Sequence, residues 1–442
     1  VSSTPDRSSL RREVLRLAVP AFLALVAEPL FLLADSAIVG HLGTAALAGL
    51  GVASAVLLTA VNIFVFLAYG TTAVVARRLG AGDQRGALSA GIDGMWLAVL
   101  LGVLAAAATA LWAQPVVEVF GATPGATAEA VTYLRVSTIG IPPMLVVLAA
   151  TGVLRGLQDT RTPLVVSVVG FTTNALLSLL LVHGVGWGSA GAAWGTVLAQ
   201  TGMAVAMTAV VVRAARRLDA PLGFAASGVL RAAAGGVPLL VRTLSLRAVL
   251  LLTTWVAAGL GEPELAAHQV AMTVWSSLAF ALDALAIAAQ ALVGKALGAG
   301  DVAGTRAATA MMVRWGVWFG VVLAVLIVAT HRVVALAFST DPRVHAALGA
   351  ALLVVALGQP VSGIAFVLDG VLIGAGDARW LAWAQTVFLL AYLPLALAVR
   401  ALDQVGVTGL VWLWLAYTAW MAVRAAGLTW RSRQDTWMVT GA

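Results

Sequence analysis

Leu79-Gly80-Ala81-Gly82-Asp83 closes one long apolar stretch, and the same five residues return unchanged 218 positions later, as Leu297-Gly298-Ala299-Gly300-Asp301, to close another. The offset holds elsewhere. Gly43 and Leu47 pair with Gly261 and Leu265, Phe120 and Pro124 with Phe338 and Pro342, and Pro142 with Pro360. Gly156, Asp159 and Arg161 pair with Gly374, Asp377 and Arg379. A constant spacing across several loops marks an internal duplication.

The segments between these loops are too apolar for water. Hydrophobic residues make up 61% of the 442 positions and charged residues only 10%, outside the range of a soluble domain. A helix needs roughly 20 mainly apolar residues to cross a bilayer. That length places spans at 14–40, 45–76, 92–113, 131–154, 163–183, 189–212, 237–260, 264–293, 308–330, 347–372, 380–400 and 407–426. The expected fold is an all-α polytopic membrane protein of twelve transmembrane helices. Six spans per half is an even number, so the two six-helix lobes share one orientation and are related by a pseudo-twofold along the membrane normal. The expected domains are an N-lobe at 1–212, a cytoplasmic interlobe loop at 213–236 and a C-lobe at 237–442.

Charge supports this threading. With both termini in the cytoplasm, only Arg135, Arg332, Arg343 and Arg400 of the 26 Arg and Lys face outward, the bias expected of cytoplasmic loops. The net charge of +7 then reads as loop charge, with no nucleic-acid partner implied. The absence of cysteine excludes disulfides and thiolate metal sites. No Walker A loop, HExxH or GxSxG pattern is present, so neither ATP hydrolysis nor another enzyme activity is expected, and no cofactor or metal.

Polar residues inside the spans are few. A charged group at membrane depth costs about 2.5–3.5 kcal/mol on insertion scales, so each needs a partner or a role. Glu28 and Asp35 lie two turns apart on one face of the first span. A carboxyl in a low-dielectric cavity can take up a proton on one side and release it on the other, which makes Asp35 the candidate coupling group. Asn174 and Ser178 share a face of the fifth span, and Thr196 of the sixth can add an oxygen to the same pocket. The competing reading is that all three only bridge packed helices. Pro20 can bend the first span. In the second half Asp283, Asp369 and Arg247 are candidate substrate or proton groups; alternatively either acid neutralises Arg247, or Arg247 snorkels to the headgroups.

Asp35-Ser36-Ala37-Ile38-Val39-Gly40-His41-Leu42-Gly43 with Leu47-Ala48-Gly49-Leu50-Gly51 resembles the first helix and loop of multidrug and toxic compound extrusion (MATE) transporters. The two LGAGD loops, Gly191-Ala192-Ala193-Trp194-Gly195-Thr196 and Leu154-Arg155-Gly156 with Asp159-Thr160 are similar to that family as well. Phe280-Ala281-Leu282-Asp283 and Phe366-Val367-Leu368-Asp369-Gly370 resemble its DinF branch. The resemblance implies a V-shaped pair of lobes exporting lipophilic, often cationic compounds in exchange for protons or sodium ions. It also implies roles: Asp35 as the cation-responsive group, Asn174 and Thr196 as network members and Pro20 as the bending proline. Where such members carry a second aspartate, four residues after the asparagine, this chain has Ser178. Half the local negative charge is gone, which weakens a sodium site, and Glu28 is the candidate replacement.

The function expected is that of a secondary antiporter exporting lipophilic or cationic small molecules for protons by alternating access. It is expected to act as a monomer, multi-pass in a bacterial inner membrane among membrane lipids. Three alternatives remain: sodium-coupled export, flipping of a lipid-linked precursor, and a membrane receptor without flux.

Overall fold

The computed structural model describes residues 7–40, 42, 44–119, 121, 123–401 and 406–441, and leaves out the side chains of 7–9, 28–37, 40, 44–45 and 60–61. Helix α1 runs Arg7–Gly40. Eleven further helices long and apolar enough to cross a membrane follow it: α2 Ala46–Gly80, α3 Gln84–Glu118, α4 Pro124–Gly156, α5 Arg161–Gly184, α6 Gly188–Arg217, α7 Ala226–Ala258, α8 Glu262–Gly298, α9 Val302–Phe338, α10 Pro342–Gly374, α11 Ala378–Ala401 and α12 Gly406–Arg433. Among the described residues there is no strand. The all-helical membrane architecture is therefore as expected. Most helices outrun the apolar stretch that announces them, because capping groups let the backbone stay helical into the polar interface.

The LGAGD loops show how these ends are made. Gly82 and Gly300 adopt φ of 79° and 75°, the left-handed corner that glycine takes at least cost. The next N–H turns back into the finished helix, Asp83 onto Arg78 O at 3.0 Å and Asp301 onto Ala296 O at 2.9 Å. The carboxylate then caps the helix that follows: Gly86 N–H donates to Asp83 Oδ1 at 2.8 Å, and Gly304 N–H to Asp301 Oδ1 at 2.7 Å. One pentapeptide thus ends one helix and starts another, and does so twice.

The chain forms two compact units, Val19–Gly236 and Val237–Gly441, the second also containing the residues up to Ala18. In the first unit, α2 lies close against α4. Thr71 and Thr72 of α2 donate to Ala149 O at 3.3 Å and Gly152 O at 3.1 Å, interhelical bonds of the kind membranes favour. In the second unit, α9 and α10 meet at bare backbone, where a Cβ added to Gly363 would lie 2.1 Å from Gly316 O.

The chain passes between units at Ala18–Val19 and again at Gly236–Val237, positions 218 residues apart. The start of α1 is held by the second unit, Glu13 pairing with Lys295 at 3.3 Å and Arg11 lying over Trp315 at 5.9 Å. The start of α7 is held by the first: a Cβ on Gly228 would meet Asp93 Oδ2 at 2.2 Å. Residues 213–236, expected as loop, are non-helical only at 218–225. Asp219 turns there with φ 49°, Pro221 cannot continue a helix, and Trp96 Nε1 donates to Leu222 O at 3.1 Å.

Candidate functional site

In the first unit α5 and α6 bring three of the candidate residues together. Ser178 Oγ donates to Asn174 Oδ1 at 3.3 Å, and Asn174 Nδ2 to Thr196 Oγ1 at 3.4 Å. Thr196 Oγ1 donates onward to Ala192 O at 3.2 Å, the carbonyl one turn earlier. Asn174 and Ser178 are buried, 2% and 0% exposed. The approach depends on Gly195, where a Cβ would lie 2.7 Å from Ser178 Oγ. The result is a chain of three neutral oxygen-bearing side chains within a low-dielectric wall, a chain able to orient toward a charge or a proton donor.

The side chains of Asp35 and Glu28 lie outside the described residues; the backbone at both is helical, within α1. Pro20 is half-buried in the same helix. Three residues beyond Asp35, Ile38 O is 3.2 Å from His183 Nε2 at the end of α5. Val39 packs in one cluster with Val182, Ala192 and Ala193. The upper part of α1 is thereby held against α5 and α6, the helices that carry Asn174, Ser178 and Thr196.

The second unit holds a buried ionic cluster that the spacing of charges did not reveal. Asp369 of α10 pairs with the guanidinium Nη2 of Arg242 on α7, whose Nε donates to Oδ1 at 3.2 Å. Arg424 of α12 reaches the other oxygen at 3.3 Å, and Gln385 Nε2 of α11 donates to Oδ1 at 3.4 Å. All four are buried, at 7%, 4%, 3% and 1% exposed for Arg242, Asp369, Arg424 and Gln385. The guanidinium of Arg424 also lies over Phe366 at 5.7 Å and Trp420 at 5.9 Å, which adds cation–π attraction. Both arginines stand near the ends of their spans and read from sequence as loop charge. Burial and the shared carboxylate correct that reading.

Asp369 therefore has guanidinium partners other than the Arg247 that sequence offered. Arg247 is exposed and Asp283 half-buried, each with a polar or electrostatic interaction of its own. Along α12, Trp414, Tyr417 and Trp420 follow at helical spacing, with ring centroids 5.6 Å and 5.2 Å apart in sequence. Among the described residues the tips Trp414 Nε1, Tyr417 Oη and Trp420 Nε1 have no protein hydrogen-bond partner. No group of three His, Asp or Glu converges on a metal-sized site among the described residues.

The comparisons agree with the duplicated plan. A family model described as MatE matches residues 20–180 and again 238–398, two segments offset by the same 218 residues. Protein DETOXIFICATION 44, chloroplastic, from Arabidopsis thaliana is 30% identical, covering 98% of this chain and 84% of its own. DNA damage-inducible protein F from Escherichia coli is 28% identical over 95% of this chain and 92% of its own. Among solved structures, the Vibrio cholerae MATE transporter VcmN in the bent form gives a TM-score of 0.87 at 21% identity, over 97% of each chain. A MOP superfamily transporter from Pyrococcus furiosus gives 0.86 at 21% identity, over 99% of each.

Proposed function

This chain belongs to the MatE family of multidrug transporters, which are not enzymes, and from that premise we propose that it is an antiporter exporting lipophilic or cationic small molecules in exchange for protons by alternating access. The observation that carries the proposal is the hydrogen-bonded chain Ser178–Asn174–Thr196, buried at its first two members, in the unit that also holds the helical turn of Asp35. In this reading Asp35 takes up the proton. The three neutral side chains reorient around its charged and neutral forms, and α1 bends at Pro20 to expel substrate.

Neutral oxygens favour a proton over sodium here. A sodium ion in a low-dielectric wall needs local negative charge as well as oxygens, and Ser178 supplies an oxygen without charge. Glu28, two turns before Asp35, is the candidate second acid. Asp369, sharing two guanidiniums, acts in this proposal as an internal counter-ion and not as an open cation site. The two units act as lobes of a monomer, with both termini on the cytoplasmic side of a bacterial inner membrane, as the arginine asymmetry supports.

The test is efflux from proteoliposomes under an imposed proton gradient and then a sodium gradient, for the wild type and Asp35→Asn. Proton-driven efflux abolished in the variant is the expected result. Efflux driven by sodium alone would replace the proton with sodium at the same wall. Glu28→Gln is expected to shift the pH dependence of efflux, and unchanged coupling would remove Glu28 from the site.

A further inference from the structure

At the end of α6, Arg213, Arg216 and Arg217 share one face of the helix by their spacing, and with Ala209 and Val212 they line an open cavity of about 430 Å³. All three are exposed, and among the described residues none enters an ion pair. Three like charges at this spacing repel one another, so an anion received among them is favoured both by attraction and by relief of that repulsion. The guanidinium plane matches the oxygens of a phosphate two at a time.

The rest of the face narrows the class of anion. Leu198 and Val205, 48% and 64% exposed, lie with exposed Gly202 and Ala209 on the same stripe of α6, which leads directly into the arginines. A soluble anion has no use for such a stripe. An amphiphile does, with its acyl chains along 198–209 and its headgroup at 213–217. We propose that this face of α6 binds an anionic phospholipid, its phosphate held by Arg213, Arg216 and Arg217. Its assignment to the cytoplasmic leaflet rests on the orientation proposed above.

The test uses the purified full chain, delipidated in neutral detergent and titrated with phosphatidylglycerol or with phosphatidylcholine of the same acyl chains, with bound lipid counted by native mass spectrometry. Three basic side chains near the headgroup should favour phosphatidylglycerol by about a hundredfold. That preference should vanish in the combined R213Q, R216Q and R217Q variant and be reduced but kept when the same three positions become lysine, whose charge remains without the paired guanidinium donors. It should also persist in a control variant carrying R85Q, R161Q and R379Q, which removes as much positive charge from other loops. Equal retention of both lipids by the wild type, or equal loss in the control, would overturn the site. Displacement by equimolar inorganic phosphate would overturn the lipid assignment, because the acyl contacts would then contribute nothing. A cysteine placed at Arg213 should react with an impermeant maleimide only from the inner side of right-side-out vesicles. Reaction from outside would overturn the leaflet while the detergent titration still decided the site.

Discussion

Gln158 and Gly376 turn the chain through the same left-handed corner, with φ of 67° and 78°, at positions 218 residues apart. The backbone bonds of the two turns match. Asp159 N–H turns back to Leu154 O at 2.8 Å, and Asp377 N–H to Leu372 O at 3.0 Å. One repeat has kept the residue suited to that corner, while the other holds a side chain there. A left-handed conformation costs an L-residue about 1–2 kcal/mol, and glycine gives part of that back through its freer unfolded chain. Gly376→Gln is therefore expected to lower stability by about 1 kcal/mol, and Gln158→Gly to raise it by about as much. Thermal unfolding midpoints in detergent measure both. Shifts that are not equal and opposite would mean that the two loops are not energetically equivalent.

Asp369 is the shared counter-ion of two buried arginines. Removing one partner of a buried pair leaves an uncompensated charge, at about 3–5 kcal/mol. Asp369→Asn should therefore destabilise the chain far more than Arg424→Gln, which leaves the Arg242 pair whole. The combination of Asp369→Asn with Arg242→Gln should be less harmful than the two effects added. A thermal-shift double-mutant cycle reads this directly, and strict additivity would show that the contact contributes no coupling. The Arg424→Gln variant should keep proton-coupled efflux if Asp35 is the coupling group.

Asp341 caps α10, accepting from Arg343 N–H at 2.8 Å and pairing with the Arg343 guanidinium at 3.0 Å. The hydrogen bond from the Arg343 side chain, and then that from its backbone, hold this carboxyl below its ordinary range. A lowered value in the folded state means the cap contributes fully above the unfolded carboxylate range and is lost as pH falls through the lowered value. Acid should fray the first turn of α10 ahead of the rest. Hydrogen exchange at residues 343–346 is expected to quicken on acidification in the wild type, and to be already fast and pH-independent, after correction for intrinsic rates, in Asp341→Ala. The same acid response in the variant would place its origin elsewhere.

How far residues alone reveal this molecule depends on whether the deciding contact is local. The LGAGD corners and their caps are legible because donor, acceptor and glycine lie within a few residues of one another. Asn174 and Ser178 are legible for a similar reason, one turn apart on one helix, with Thr196 reached through a single short connection. Arg242 and Arg424 are not. An arginine one turn inside a span has the same neighbours in sequence whether it snorkels outward or turns in toward Asp369, and only the packing of α7, α10, α11 and α12 decides. The length of α7 was hidden likewise, since Ala226–Gly236 packs through Gly228 and Gly236 on distant Asp93 and Phe66 and reads locally as a glycine-containing, Arg231-bearing connection. Pro238 was within reach. The offset that pairs the two LGAGD motifs also pairs Pro238 with Pro20.

That last pairing has a functional consequence. The chain changes compact unit at Ala18–Val19 and at Gly236–Val237, and in each case a proline stands two residues past the junction's first member, Pro20 in α1 and Pro238 inside α7. A proline in a helix removes one backbone bond and clashes with the preceding turn, which lowers the cost of bending at that point. A bend there would let the start of each helix stay with one unit while the remainder moves with the other, so both prolines are expected to serve as hinges. Pro238→Ala should then slow efflux several-fold, as Pro20→Ala should, while raising the thermal midpoint, since an interior proline costs a helix about 3 kcal/mol relative to alanine. Slower transport together with higher stability is the signature of a lost hinge. Slower transport with lower stability would instead make Pro238 a packing residue, and leave α1 as the single bending helix.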